Sequence, residues 1–424
     1  MHFIADLHIH SRYSRATSQD MSPEGIWKWA QFKGITVIST GDFTHPAWFK
    51  ELGEKIIPLG NGLFKLKKEL QTDDIPFLCR GEVYFLLSAE ISCIYSKNGK
   101  IRKVHSIILA PDFTGAKRLN DQLSKIGNLS ADGRPILGLD AKELLRIVMD
   151  ASPDAMLIPA HAWTPHFSVL GASSGFDSLE ECFEDLTPHI HAVETGLSSD
   201  PPMNWRLSAL DKITLISNSD AHSPAKIGRE SNIFDTELSY RGITNAIKTR
   251  TGFSGTIEFF PEEGKYHYDG HRQCGACLSP DETIRHNYLC PVCSKKVTVG
   301  VMHRVEKLAD RQNGFKPKNA LPFYSVIPLS EILAEVLNVG VNSKTVCKQY
   351  QSLLEKLGSE FKILMDIPAK EIEDASTSRI MEAISMVREG NVNIIPGYDG
   401  EYGKVKIFEM VEDKKVKGQI LLSL

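Results

Sequence analysis

Two histidines one residue apart, His8 and His10, close an apolar run that begins at Phe3. In a strand, side chains at i and i+2 share a face, so both imidazoles would project together from its C-terminal end, an arrangement that suits a divalent metal. A chance pair inside a buried strand is the plain alternative, and nine residues do not separate the two. Matching pieces recur downstream, each after an apolar run: Asp42 and His45, Glu90, His105, His161, Glu194, and Asp220-Ala221-His222. Imidazoles and carboxylates gathered at the ends of successive strands can hold two divalent ions, and such a pair supports phosphoester hydrolysis.

A second set is of a different kind. Cys274-x2-Cys277-x12-Cys290-x2-Cys293 places four of the eight cysteines within twenty residues. Two knuckles of this spacing can close a tetrahedron of thiolates around one zinc ion with no open position, so folding energy is expected there and no catalysis. A redox role for one knuckle is the alternative. From Ser294 to Lys318 seven basic residues face two acidic ones, a balance of +5. By itself such a run is a solvated face; beside a zinc module it suggests contact with a phosphate backbone.

The loop from His161 to Ser178 follows one of the expected ligands and carries Trp163, His166, Phe167, Gly171, Ser173 and Phe176. Aromatics among small polar residues suit stacking and edge recognition of an extruded base. A lid with its aromatics packed into the core would have the same composition.

The elements that must position these groups are legible in outline. A chain of 424 residues exceeds one ordinary core, and 42% hydrophobic residues, 24% charged residues and a net charge of -4 describe a globular protein. With no apolar run of about 18 residues and no signal-like N-terminus, a cytoplasmic protein away from membranes is expected. Ser22 and Pro23 open a helix bearing Ile26, Trp27 and Ala30. Strands are expected at 35–40, 84–87, 104–109, 155–158, 192–193 and 214–217, with a helix at 141–149, an alternation that points to a parallel sheet closed as a barrel. Further helices are expected at 330–337, from Ser343 to Gly358, and at 378–389, with a strand at 404–408. The turn-rich segment from Pro396 to Gly403 is expected to brace a domain junction, with contact to a ligand as the alternative.

The ordered set His8-x-His10, Asp42, Glu90, His105, His161 and Asp220-x-His222 resembles the motifs of the polymerase and histidinol phosphatase (PHP) family of metal-dependent phosphoesterases. The resemblance covers about the first 255 residues and implies an α/β fold, a distorted (β/α)7 barrel. It also implies that His8, His10, Glu90 and Asp220 surround one metal and that Glu90 bridges to a second held by His105 and His161. His222 with the Asp42 region would serve a third. Phe43 stands where the family has a histidine directly after the aspartate, with His45 two residues on, so the expected count is two or three Zn, Mn or Mg ions. Glu90, Asp220 and His222 are the expected catalytic residues.

Taken over the whole chain, the order of parts resembles the endonuclease Q family: a PHP barrel at 1–260, a four-cysteine zinc module at 261–303 and a small mainly helical domain at 304–424. The loop at 161–178 and the segment at 396–403 resemble signatures of that family. This implies a DNA-repair endonuclease that flips deaminated bases (uracil, hypoxanthine, xanthine) or meets abasic sites, and cuts the phosphodiester on the 5′ side. A small-molecule phosphatase of the histidinol-phosphate type is the alternative, and a DNA-binding module with a decayed barrel is a third reading. The tail Gln419 to Leu424 resembles a sliding-clamp motif, although a terminal strand is the simpler reading.

Overall fold

The computed structural model of the chain describes residues 1–408; the clamp-like tail lies outside the described residues. The expected α/β architecture is present, but its central sheet is mixed. His2–Asp6 pairs in parallel with Val37–Ser39, which pairs in parallel with the start of Tyr84–Lys97. On the other side of His2–Asp6, Ser231–Asp235 and then Phe253–Glu258 add antiparallel. Tyr84–Lys97 turns back as one long hairpin with Lys100–Ala110, which pairs antiparallel with Met156–Pro159. Ala192–Glu194 and Thr214–Ile216 form a separate parallel pair. The expected alternation failed at the hairpin because Lys97-Asn98-Gly99-Lys100 is a turn between two strands, with Asn98 and Gly99 both at positive φ, as two-residue hairpin turns require.

That hairpin changes how two of the expected ligands are held. Glu90 and His105 lie in the middle of long strands, and do not sit at strand ends. Ser92 is paired directly with His105, and Glu90, two residues before Ser92, points to the same face. Both side chains therefore reach one point although fifteen residues separate them.

The N-terminal helix forms as expected over Pro23–Lys33, with the Ser22 hydroxyl accepting from the Gly25 N–H. Its far end meets the C-terminal helices. Lys33 Nζ lies 2.7 Å from Glu360 Oε2, and both side chains are buried. The Tyr350 hydroxyl donates to the same oxygen, and Leu329 N–H donates to Oε1. Such a pair persists only with its remaining lone pairs satisfied, as here.

Helices occupy Leu329–Leu337, Lys344–Leu357, Ala369–Ala375 and Ser378–Arg388. The first stops earlier than Gly340 because Asn338 takes the left-handed capping position. Their apolar stripes, Ile332, Leu333, Leu353, Leu354, Ile380 and Ile384, belong to the same buried cluster as Ile26, Trp27 and Ile38. Phe323–Ser325 also adds a parallel strand beside Phe253–Glu258. Among the described residues, no helix is long and apolar enough to cross a membrane.

Candidate metal centre and its rim

His8 and His10 project from the end of the opening strand while Leu7 and Ile9, between and beside them, go into the apolar core. His8, His10, Glu90 and Asp220 offer ligand atoms all within 4.8 Å of one another, and Glu90, His105 and His161 form a second such group. Glu90 belongs to both. His10 Nε2 lies 3.0 Å from Asp220 Oδ1 and 3.2 Å from Glu90 Oε2, and His8 Nε2 lies 3.6 Å from Glu90 Oε2. His105 Nδ1 and His161 Nε2 lie 2.8 and 3.1 Å from Glu90 Oε1.

The buried atoms His8 Nε2, His10 Nε2 and Asp220 Oδ1 have no hydrogen-bond partner. Buried polar atoms are almost always paired, so nitrogens and oxygens converging without hydrogen bonds fit a divalent cation. The opposite ring nitrogens make that fit specific. His8 Nδ1 lies 3.0 Å from Glu194 Oε1, and His10 Nδ1 lies 3.0 Å from Asp42 Oδ1. A carboxylate on Nδ1 fixes the tautomer that turns Nε2 toward a metal.

Electrostatics follow from this packing. Burial opposes charge on His8, but the carboxylates of Glu194 and Glu90 outweigh it and hold its pKa well above the ordinary value. His10 is raised against the same burial penalty, chiefly by Asp42. Burial dominates at His105, pushed down to about 4 despite Glu90. At Glu90 burial is overcome by His105, Arg134 and His8, which hold the carboxylate well below its usual range. Asp220 is likewise lowered against burial by its contact with His10 and the His8 charge.

The backbone at this centre is strained. Asp42, His161 and Asp220 have φ of 50°, 30° and 46°, a region that non-glycine residues seldom enter. Gly196 permits the conformation at His161, since a Cβ there would lie 2.6 Å from the His161 Cβ. Asp6 holds the approach to Asp220: its carboxylate accepts N–H groups from Ser219 and Gly228, and burial pushes its pKa up to about 6.

Several expected residues fall elsewhere. Asp42 does not join a ligand group; its oxygens serve His10, the Ser11 N–H and the Ser11 and Ser14 hydroxyls. His45 precedes the helix Pro46–Lys55 and stacks on Tyr13 with ring centroids 4.6 Å apart. His222 lies beside His10, ring centroids 4.5 Å apart, with Nδ1 on the Asp220 carbonyl. Among the described residues no third group forms from Asp42, His45 and His222, because Asp42 is spent on orienting His10.

Sequence reasoning missed the roles of Glu194, Asp6 and Arg134. Glu194 was legible as a polar residue ending a strand, yet nothing in sequence distinguishes a ligand from a residue orienting one. It also accepts the His161 N–H and the Asn218 amide. Glu194→Gln is expected to cost about 10–100-fold in activity or metal affinity, the usual effect of losing such a partner, read by titrating activity against metal.

The loop at 161–178 divides between core and rim. Trp163 and Phe176, expected to line a base pocket, are fully buried. The Trp163 indole N–H donates to Asn204 Oδ1 at 2.8 Å, and Phe176 lies under the Arg102 guanidinium, 4.0 Å from the ring centroid. Gly171 is buried where a Cβ would lie 2.3 Å from the Thr164 carbonyl oxygen. His166 and Ser173 are exposed. Phe167, half-buried at φ 63°, sets its ring 4.7 Å from that of His105, at the edge of the second ligand group.

Arg304 braces this loop from outside, donating to the carbonyls of Leu170 and Phe176 and to Asp177. It is therefore withdrawn from the basic surface expected at 294–318, as is Arg311, paired with Asp211. Lys295, Lys296, Lys307, Lys316 and Lys318 remain exposed.

In the cysteine segment, Cys274, Cys290 and Cys293 gather with His271 within 4.8 Å. Cys277, expected as the fourth ligand, lies outside that group. It sits on the strand Ala276–Leu278, opposite Gly270 of Asp269–His271, and alternation along the short hairpin turns it away from its neighbours. Asp399 receives the Arg272 N–H and the Thr298 hydroxyl, so the segment at 396–403 braces this module as expected.

Comparisons with known proteins agree with this layout. Residues 328–391 match the family model of the MJ0043 C-terminal domain. The chain is 31% identical over 238 residues to the uncharacterized protein MJ0043 of Methanocaldococcus jannaschii, covering 54% of this chain and 30% of that longer protein. It is 28% identical over 419 residues to the uncharacterized protein YqxK of Bacillus subtilis, covering 95% and 98%. Among solved structures it resembles the novel lesion-specific endonuclease PfuEndoQ from Pyrococcus furiosus, with a TM-score of 0.83, 30% identity and coverage of 99% and 100%. A complex of endonuclease Q with a 27-mer duplex carrying an abasic lesion at the active site matches with a TM-score of 0.81, 32% identity and coverage of 96% and 97%.

Proposed function

The chain belongs to the endonuclease Q family and is a metal-dependent, lesion-specific DNA endonuclease, and we propose that it cuts the phosphodiester on the 5′ side of deaminated bases and abasic sites. The observation that carries this reading is Glu90, a single carboxylate shared by two groups of metal-ligating side chains. Divalent ions held there would supply the hydroxide, the neutralisation of phosphoryl oxygens and the stabilisation of the leaving alkoxide that phosphodiester hydrolysis needs. Zn, Mn or Mg at the shared site, and one structural Zn in the cysteine module, are the cofactors we assign.

The chain's own residues do the rest. Glu194 and Asp42 keep His8 and His10 in one tautomer and orientation, and the long hairpin holds Glu90 and His105 at fixed spacing. Residues 1–260 form the catalytic PHP barrel in this reading, 261–303 the zinc module, and the region after 303 helps hold the duplex through its exposed lysines.

A base swung out of the stack would meet Phe167 at the rim, with His166 and Ser173 nearby. Flipping costs least where pairing is already weak or the base is absent, which favours damaged sites. Phe167→Ala is expected to weaken binding of uracil-containing duplex by about 1–3 kcal/mol, the worth of one base–aromatic stack, with little change for undamaged duplex, as read by the ratio of dissociation constants.

The function is tested by incubating the protein and Mg or Mn with end-labelled duplexes carrying one uracil, one hypoxanthine, one abasic site or no lesion. Expected is a single nick immediately 5′ to each lesion, leaving a 3′-hydroxyl and a 5′-phosphate. Cutting irrespective of lesion, or turnover of simple phosphomonoesters alone, would overturn the assignment.

A further inference from the structure

Among the described residues, Arg134 is a cation aimed into the metal centre that no ligand motif accounts for. Its Nη1 donates to Glu90 Oε2 at 3.0 Å, the same oxygen that lies 3.2 Å from His10 Nε2. Its side chain is 29% exposed, so it stands at the mouth of the centre and is not sealed beneath it. Glu90 is the only side chain on which the described guanidinium spends an N–H, and the rest of the five-donor fork is unspent among the described residues.

The loop that delivers Arg134 is built for that purpose. Asp132 Oδ1 accepts the N–H groups of both Arg134 and Arg15, fixing the turn. Gly133 presses against the wall of the site: a Cβ there would lie 2.3 Å from Asp42 Oδ2 and 2.3 Å from Ser14 Oγ. Only a residue without a side chain lets the chain pass this close, and the next residue then reaches over Glu90.

The guanidinium is already held by Glu90 through one N–H and keeps its remaining donors at the open side of the centre. A carboxylate and a phosphodiester present the same paired oxygens to the fork, and arginine binds either. We propose that Arg134 binds the scissile phosphate directly, so that its free N–H groups take a non-bridging oxygen while Nη1 stays on or near Glu90. The inference rests on the endonuclease reading and names a substrate contact that no metal motif supplies.

The test is a double-substitution cycle on binding. Wild type, Arg134→Ala and Arg134→Lys are measured by fluorescence anisotropy, with Ca²⁺ replacing the catalytic ions. One duplex is undamaged, and two carry an abasic site with either the native phosphate or a neutral methylphosphonate on its 5′ side. Wild type should lose roughly ten- to a hundredfold in affinity when that one charge is removed, the worth of a charge-assisted hydrogen bond. Arg134→Ala should start weaker by the same factor and be indifferent to the methylphosphonate, with Arg134→Lys between them. Metal bound per chain should be the same in all three.

Arg134→Ala that remains as sensitive to the methylphosphonate as wild type would overturn the proposal. So would a drop in bound metal with DNA affinity intact, which would make Arg134 a positioning residue for Glu90. Wild type that binds lesion and undamaged duplexes equally would instead remove the endonuclease reading, and the assignment of Arg134 with it.

Discussion

Glu90→Gln is expected to lower the single-turnover nicking rate by roughly a thousandfold or more, because several kcal/mol of charge stabilisation disappear at about 1.4 kcal/mol per tenfold. Glutamine preserves the volume of the side chain and one acceptor oxygen, so the core around it should stay intact. It cannot carry the negative charge that faces His8 and His10 on one side and His105 and His161 on the other. The rate and the metal content per chain should therefore fall together, as measured by quench-flow and elemental analysis of the same preparation. A variant within tenfold of wild type would show that the two groups do not act as one centre. Excess metal should recover only part of the loss, since added ions restore occupancy and not the missing charge.

Trp163→Ala should act on stability and leave lesion choice unchanged. A fully buried tryptophan replaced by alanine costs about 3–5 kcal/mol, and here Asn204 would also lose the indole N–H that satisfies its carbonyl oxygen. Expected is a drop of several degrees in the thermal midpoint, with the preference for lesion over undamaged duplex preserved in the folded fraction. Trp163→Phe should recover part of the packing and none of the hydrogen bond. A change in lesion preference at unchanged midpoint would return Trp163 to the pocket from which its burial removes it.

The contrast between Trp163 and Phe167 shows how far a sequence speaks for this site. Residue types and their order were enough to single out every side chain in the two ligand groups, because imidazoles and carboxylates recur after apolar runs in the order of the PHP motifs, even though Glu90 and His105 prove to lie within long strands. They could not tell a ligand from its orienter: Asp42 and Glu194 are chemically able to bind metal, and only their contacts to Nδ1 reveal the indirect role. Nor could they sort the aromatics of one loop, since burial depends on Arg102 and Arg304 closing on it from distant parts of the chain. The antiparallel hairpin was missed for a related reason. Strands 84–87 and 104–109 read correctly as strands, but their continuation past Glu90 and before His105 is polar enough to resemble loop, and it is pairing across the hairpin that extends them. Arg134 lay beyond reach because its loop follows no strand, and its role depends on a glycine fitting against Asp42.

Lys33 and Glu360 make the two ends of the described chain dependent on each other. Severing the polypeptide before the C-terminal helices would remove Glu360 and the helices that bury Lys33 against it, so the pair that joins the two ends would be lost. The same cut would bare the apolar patch that Ile332, Leu333 and Leu353 cover. Excision of the catalytic half should therefore give an insoluble product. Anyone seeking a minimal nuclease from this scaffold should trim loops and keep the seam whole.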